Sequence, residues 1–308
     1  MFRLDSLLCL VARASTPSPA LRQAMHLAAE CQATVHTVPL GAVSPADVRR
    51  LVEAEKERTG TSAPVEGHEG LPPEMERALR EIEKHVEAME ADLVVSDSFR
   101  VSGVEEEEGD RWGKTLGAQL DCSIFMADAC EAPDQVNRIL VPTDLSAASV
   151  NTLKHAVEVA ACYEASIVLL HVLEANPYVA LTPMDRLSLG ATTLSEHRAR
   201  RRLHRIVKKA GAGGRSIRPR ITFGTPADQI ARFVDENEMD LLVLSSRRAG
   251  SQPERALGPV ADRLLRRLPC PLFLVRAPES SPPSLEDEAE IQHRRSSRGN
   301  GSSVSSSG

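Results

Sequence analysis

At 308 residues, the chain is long enough for one large domain or for two domains of about 140 residues each. Charged residues make up 26% of it and aromatic residues only 3%, so we expect a globular fold with an aliphatic core. The net charge of −6 argues against binding to nucleic acid or to anionic membranes, and no apolar run approaches the roughly 20 residues of a membrane-spanning helix. The six cysteines include no CxxC pair, which favours reduced thiols in the cytoplasm over a disulfide framework or a zinc site.

The first half of the chain begins with an apolar run, residues 7–11, that predicts a buried strand rather than the core of a signal peptide. Further on, ADLVVSDS (residues 91–98) and CSIF (residues 122–125) predict two more strands. Between them, the acidic residues 105–108 predict a solvated loop, and their spacing does not indicate a metal site.

The second half alternates short aliphatic runs with amphipathic stretches, which is typical of a parallel sheet covered by helices. Thr225, Pro226 and Asp228 predict a helix start with a hydroxyl N-cap, a proline in the first turn and an acid beside it. Apolar residues recur with helical spacing through residues 199–210, so the basic residues of that stretch should form a solvated face rather than a nucleic-acid patch. The predicted strands are residues 139–141, 167–172, 217–222, 241–244 and 272–275.

Two segments of the first half recur in the second half. ADLVVSDS returns as MDLLVLSS (residues 239–246) and CSIF as CPLF (residues 270–273), and 148 residues separate the members of each pair. Because both predicted strands keep one offset, the chain contains an internal duplication. We therefore expect two domains, residues 1–130 and 137–277, followed by a disordered Ser-, Pro- and charge-rich tail, residues 278–308.

Four segments of the second half carry a resemblance to a known family: ILVPTDLSAAS (139–149), IVLLHVLE (167–174), GTPADQIARFVDENEMDLLVLSS (224–246) and LGPVADRLLRRLPCPLFLVR (257–276). Through them the second half resembles the universal stress protein family along its whole length, and the first half resembles it through the duplication. The resemblance implies two Rossmann-like α/β domains of the adenine nucleotide α-hydrolase-like kind, each an open five-stranded parallel sheet of order 3-2-1-4-5. It also implies that the last strands of the two domains pair edge to edge as an intramolecular pseudo-dimer, with a homo-oligomer as a further expectation.

The resemblance places a nucleotide site in the second domain, at the carboxyl ends of its first and fourth strands. Family members that bind ATP use an acid after strand 1, which is Asp144 here, and a small apolar residue after strand 2, which is Val172. They hold ribose and phosphates with a loop of pattern G-x2-G-x9-G-[S/T] after strand 4. Aligned on Gly258, that loop carries Ser245, Arg248 and Pro259 at its other three positions.

Half of the family's site is thus retained in the second domain. Arg248 puts a long side chain where bare backbone is expected, and Pro259 lacks the amide donor and the hydroxyl of the closing position. In the first domain no acid follows the first strand, and Asp97, Arg100 and Asp110 stand at the glycine positions. We expect ATP or another adenine nucleotide to bind weakly to the second domain, and no nucleotide to bind to the first.

Several side chains have two interpretations. Asp144 either binds a ligand or caps the next helix, a role for which Ser146 competes. His171 lies in an aliphatic strand end, which favours packing or hydrogen bonding over catalysis. Cys122 and Cys270 occupy equivalent positions before a strand, and burial explains both better than redox chemistry does.

The expected function is that of a stress-associated regulatory or binding protein with a degenerate nucleotide pocket and no enzymatic activity. Two alternatives stay open, an ATP-binding protein with weak ATPase activity and a nucleotidyl-transfer enzyme on the same fold. The second is disfavoured because the sequence contains neither an HxGH nor an SGGxDS phosphate motif. In addition, no acid–base constellation can be assembled from it, and no protein partner can be identified.

Overall fold

The computed structural model describes residues 4–14, 18–72, 74–97, 106–127, 135–146, 148–174, 185–211, 214, 216–246, 258–266 and 270–276. The strands in this part of the chain are β1 Ser6–Val11, β2 Thr34–Pro39, β3 Val65–Gly67, β4 Leu93–Asp97, β5 Ser123–Ala127, β6 Arg138–Pro142, β7 Ser166–Leu173, β8 Ile217–Phe223, β9 Leu241–Ser246 and β10 Leu272–Arg276. The helices are α1 Pro19–Cys31, α2 Pro45–Thr59, α3 Met75–Ala88, α4 Glu106–Gln119, α5 Ala148–Tyr163, α6 Asp185–Ala210, α7 Pro226–Asn237 and α8 Pro259–Leu265.

All ten described strands belong to one sheet of order β3-β2-β1-β4-β5-β10-β9-β6-β7-β8. Each half has the order 3-2-1-4-5, and neighbouring strands within a half are parallel. The predicted fold class, two α/β domains with open parallel sheets, is confirmed. The proposed tail, residues 278–308, lies outside the described residues.

The central strands form because they are continuous aliphatic runs, which suit a sheet covered by helices on both faces. Every residue of β1 is buried. Leu7 and Cys9 belong to the core on one face of the sheet, and Leu8 and Leu10 to the core on the other. Both cores continue from the first half of the chain into the second, so the two domains share their hydrophobic layers.

The junction between the domains is an antiparallel pair formed by β5 and β10. Leu272 pairs with Met126, and Leu274 pairs with Ile124. Between these pairs the rings of Phe125 and Phe273 lie edge to face with centroids 6.1 Å apart, and both side chains are fully buried. The strand edges that would otherwise be open to further pairing are thereby closed within one chain.

Equivalent helices also meet across the junction. On one face of the sheet, the Tyr163 hydroxyl in α5 donates a 2.6 Å hydrogen bond to Oε1 of Gln23 in α1, and its ring stacks on His26 at 4.6 Å. On the other face, Lys114 in α4 forms a 2.8 Å ion pair with Asp262 in α8. The domains are therefore joined by paired strands and by side chains on both sides of the sheet.

One local prediction was wrong, and another was confirmed only in part. The acidic residues 106–108 do not form a loop, because they make up the first turn of α4, where the helix dipole favours negative charge. Thr225 does hold the N-cap position of α7 and Pro226 follows it, but among the described residues the Thr225 hydroxyl makes no capping hydrogen bond. The predicted stripe of residues 199–210 is confirmed within α6, which begins earlier, at Asp185.

Candidate functional site

A crevice opens in the second domain where the strand order reverses. Strands β6 and β9 pair only at Ile139–Leu241 and Leu140–Leu242, whereas β6 and β7 remain paired as far as Pro142 and Leu170. The carboxyl ends of β6 and β9 are therefore separated, as is usual at a ligand crevice of an open α/β sheet.

Asp144 lies at the mouth of this crevice, and its side chain is exposed. Its Oδ1 accepts hydrogen bonds from the backbone N–H of Ser146 and from the hydroxyl of Ser149, both at 3.0 Å. Leu145, which lies between Asp144 and Ser146, has a φ of 63°, so the chain turns sharply after Asp144. Asp144 thus binds the start of α5 through one carboxylate oxygen, and its carboxylate remains at the mouth of the crevice.

A short chain of hydrogen bonds continues from Asp144 into the protein. The buried Thr143 hydroxyl donates to Oγ of Ser149 at 2.7 Å and accepts from the Leu145 N–H at 3.0 Å. The carbonyl oxygen of Thr143 contacts Nδ1 of His171 at 2.8 Å, so the hydrogen-bonding interpretation of His171 is confirmed. Sequence reasoning missed Thr143 and Ser149, although closely spaced hydroxyls after a strand are a recognisable turn and capping signal.

The first domain is built differently at the equivalent point. Asp97 stands 148 residues before Ser245, so it is the repeat equivalent of that serine. Its side chain is only 2% exposed, and its Oδ1 accepts a 3.0 Å hydrogen bond from the Ala20 N–H at the start of α1. Burial raises the pKa of the Asp97 carboxyl, although the Ala20 N–H and Arg13 partly oppose the shift. The amide that could meet a ligand anion is therefore already bonded to a protein carboxylate.

Neighbouring side chains close this end of the first domain further. The Ser18 N–H donates to Oε1 of Glu55 at 3.1 Å, and the Ser18 hydroxyl accepts from the Leu21 N–H at 3.5 Å. Glu55 is buried and also forms a 2.9 Å ion pair with Arg58. Through these contacts, the start of α1 is bonded to other groups of the protein, including Glu55 of α2.

Two matched acids have the same structural role in both domains. Oδ2 of Asp92 accepts from the N–H groups of Asp5 and Ser6, and Oδ2 of Asp240 accepts from those of Asn137 and Arg138. Each carboxylate ties the loop before one strand to the start of another. These acids explain part of the repeated motif, and they lie at the opposite ends of the strands from the crevice.

Comparison with known proteins identifies the fold. Residues 135–276 match the model of the Universal stress protein family. This second half is therefore a universal stress protein domain. A universal stress protein of Methanocaldococcus jannaschii is 28% identical over 142 residues, which cover 46% of this chain and 83% of the relative.

Solved structures match both halves together. A functionally unknown protein from Pseudomonas aeruginosa PAO1 has a TM-score of 0.68 at 14% identity, covering 96% of this chain and 98% of its own. A universal stress protein from Archaeoglobus fulgidus has a TM-score of 0.56 at 16% identity, covering 90% of this chain and 98% of its own. These likenesses show that the first half shares the universal stress protein fold. No helix among the described residues has the length and apolar character needed to cross a bilayer.

Some residues of the second domain stand at positions that bind nucleotide in other universal stress proteins, and they lie on both sides of the crevice. Continuing the β6–β7 register from Pro142 and Leu170 brings Asp144 level with Val172, which is half-buried. Ser245 is half-buried on β9, at the far side.

The remaining family positions follow β9. Gly258 is the N-cap of α8 with a φ of −67°, which any residue adopts, and Pro259 is exposed in the first turn. Arg248 lies outside the described residues. The neighbouring Ser246 is buried and donates to the Val275 carbonyl at 3.1 Å, so its hydroxyl is used structurally.

Two other predictions from sequence are confirmed. Cys122 and Cys270 are buried, and burial raises the pKa of the Cys122 thiol to about 12. The basic face of α6 is solvated, with Arg200 paired to Glu196 at 2.6 Å.

Proposed function

We propose that this universal stress protein is a stress-associated regulatory protein whose second domain binds an adenine nucleotide, with ATP as the first candidate. The observation that carries the proposal is the contrast between the two strand-reversal points. In the second domain the strands separate beside the exposed Asp144 and the half-buried Ser245. In the first domain β1 and β4 stay paired as far as Leu10 and Ser96, and Asp97 is buried at their end.

The residues at the crevice suit the nucleoside part of a nucleotide. A carboxylate such as Asp144 accepts hydrogen bonds from ribose hydroxyls or an exocyclic amine. Val172 offers a small apolar surface to a flat base, and the crevice opens where α/β proteins usually hold such ligands. Pro259 supplies neither an amide donor nor a hydroxyl for phosphate, so we expect micromolar to millimolar affinity, equivalent to about −8 to −4 kcal/mol.

The first domain serves as the structural partner of the second in this proposal. Asp97 already accepts the hydrogen bond of the Ala20 N–H, so an anion would have to displace a buried protein carboxylate. The β5–β10 pair then makes the first domain a permanent neighbour of the ligand-binding domain. A regulatory role follows because ligand binding beside α5 acts on a helix that contacts α1 of the partner domain.

Calorimetric titration of ATP into the full chain tests the proposal. Asp144→Ala should abolish measurable binding, because it removes the carboxylate proposed to accept hydrogen bonds from the nucleoside. Ser149→Ala is the matched control, since it removes a bond that holds Asp144 and the helix start but leaves the carboxylate in place. We expect Ser149→Ala to weaken binding only a few-fold.

Equal affinity of Asp144→Ala and the unchanged chain for ATP would contradict the proposal, as would nanomolar binding. Mass spectrometry of small molecules released from freshly purified protein would identify the resident nucleotide independently.

A further inference from the structure

A cluster of imidazole and carboxylate groups lies at the outer edge of the first domain, away from the crevice. His36 on β2 and Glu66 on β3 are cross-strand partners, and His68 follows directly after β3. One possible ligand atom from each of the three residues lies within 4.8 Å of the other two. Imidazole nitrogen and carboxylate oxygen are common ligands of zinc and related metals.

The backbone holds these three residues in position. The His68 N–H donates to the Thr37 carbonyl at 2.9 Å, which extends the ladder one residue beyond β3. The Thr37 hydroxyl donates to the carbonyl of Glu66 at 3.1 Å. Groups placed by a strand ladder are held more accurately than groups on free loops, as a metal site requires.

The spacing of the side-chain atoms fits a small tetrahedral ion. Nδ1 of His36 lies 3.0 Å from Nε2 of His68 and 3.5 Å from Oε2 of Glu66. Ligands bound about 2.0–2.2 Å from a tetrahedral zinc ion lie roughly 3.3 Å from one another. The two distances from His36 bracket this value, and the remaining separation, between His68 and Glu66, is at most 4.8 Å, so a turn of the exposed Glu66 side chain would bring the third atom into coordination distance.

A third histidine approaches from the helix that covers this face. His85 on α3 contacts the carbonyl oxygen of Glu81 through Nδ1 at 2.7 Å. A carbonyl can only accept, so Nδ1 carries the proton and Nε2 of the neutral ring has a free lone pair. A hydrogen bond of this kind, from the other ring nitrogen to a backbone carbonyl, is usual for zinc-bound histidines. The ring centres of His85 and His68 are 6.0 Å apart, edge to face.

Solvent can reach the cluster from one side. The His36 side chain is 14% exposed and that of Glu66 is 64% exposed. His85 also lines an open cleft with Arg77 and Arg80 on α3. An ion can therefore enter without unfolding, and Glu66 is free to turn toward it.

We propose that His36, Glu66 and His68 form a site for a divalent transition metal of the zinc type, with His85 or water as the fourth ligand. The metal would tie β2 to β3 at the open edge of the first domain, and also to α3 where His85 is the fourth ligand. This role is independent of the nucleotide proposal, since no group of the crevice takes part. It gives the first domain a ligand of its own.

The test uses the full chain without a polyhistidine tag, stripped of metal by a chelator and dialysed. Zinc(II) titration by competition with a coloured chelator should show one tight site per chain. Cobalt(II) should give the strong visible absorption of tetrahedral coordination. His36→Gln, His68→Gln and Glu66→Gln should each weaken zinc binding at least tenfold, and zinc should raise the melting temperature of the unchanged chain but not of these three variants.

His204→Gln is the matched control, because His204 is an exposed histidine on α6 of the second domain. It should bind zinc as the unchanged chain does. His85→Gln separates the two forms of the site: a loss of tetrahedral cobalt absorption assigns His85 as fourth ligand, and unchanged absorption assigns water. The exposed Glu66 can be replaced without unfolding the domain, so this variant stays informative if a histidine variant misfolds. Equal zinc affinity of the unchanged chain and Glu66→Gln, or no tight site in the unchanged chain, would overturn the proposal.

Discussion

Asp97 and Ser245 are repeat equivalents with opposite surroundings. The Asp97 carboxylate is buried and bonded to the first amide of α1, whereas Ser245 is a small, half-buried residue beside separated strands. The two copies of the duplicated domain therefore differ at this position: the strand end is closed beside Asp97 in the first domain and open beside Ser245 in the second.

The buried Asp97 predicts a pH-dependent stability difference. Its pKa is raised above the ordinary 3.8, so the folded state holds this proton to higher pH than the unfolded state. The contribution of Asp97 to the free energy of unfolding is therefore greatest below about pH 3.8 and falls as pH rises through the folded-state pKa. Asp97→Asn keeps an oxygen for the Ala20 N–H and removes the ionisation.

Denaturant unfolding of both proteins between pH 4 and pH 7 measures this difference. Relative to the unchanged chain, Asp97→Asn should become progressively more stable as pH increases, up to a plateau. A difference that stays constant, or that shrinks with rising pH, would show that Asp97 is not a buried acid of raised pKa.

The sequence predicted the strands well where hydrophobic burial determines them. Aliphatic runs such as residues 241–244 can only be central strands, and the repeat offset placed their counterparts in the first domain. Strand β3, with the sequence VEG, was not predicted because three half-buried or exposed residues at a sheet edge leave no apolar pattern. The loop predicted for residues 105–108 was wrong at residues 106–108, because a run of glutamates suits both a loop and a first helical turn.

The candidate site was only partly predictable, because its contacts depend on turns and packing that no local sequence pattern records. Asp144 could be located by its position after a strand, but its bonds to Ser146 and Ser149 depend on how the chain turns. The burial of Asp97 depends on the packing of α1 against β4, which no local pattern records. His36 and His68 are 32 residues apart with α2 between them, so spacing gave no signal of their contact.

The contact between α1 and α5 predicts a specific oxidation. The thiols of Cys31 and Cys162 lie 3.6 Å apart across the domain junction. The hydrogen bond with Cys162 lowers the pKa of the Cys31 thiol, which makes Cys31 the more reactive of the two. Hydrogen peroxide should convert Cys31 to a sulfenic acid with release of water, and Cys162 should then displace a second water to form the disulfide.

Peptide mapping by mass spectrometry after peroxide treatment should find Cys31 and Cys162 linked, with the loss of two hydrogen atoms. Cys31→Ser and Cys162→Ser should each remain unlinked, and Cys9, which is fully buried, should stay a thiol in all three proteins. Linkage of Cys31 between separate chains, or none at all, would argue against the observed arrangement of α1 and α5.

The phenylalanine pair at the junction predicts energetic coupling between domains. Phe125→Ala and Phe273→Ala each remove a fully buried ring and should lower the free energy of unfolding by about 3–5 kcal/mol. Because the rings are in contact, the double variant should lose less than the sum, with a coupling of about 0.5–1.5 kcal/mol. Urea denaturation of the four proteins measures this coupling.

Phe223→Ala is the control for this series, since Phe223 is 44% exposed on the outer strand β8. Its effect on stability should stay within about 0.5 kcal/mol. Strict additivity of Phe125→Ala and Phe273→Ala would mean that the two domains do not meet through β5 and β10 in solution.

Calorimetric titration of ATP into Ser245→Asp probes the open strand end of the second domain, because this change gives the second domain the acid of the first. We predict that the unchanged chain binds about one ATP with micromolar to millimolar affinity and that Ser245→Asp binds none. Ser245→Ala, which adds no charge or bulk, should bind as the unchanged chain does. Undiminished ATP binding by Ser245→Asp would contradict the claim that the open strand end beside Ser245 is the nucleotide site.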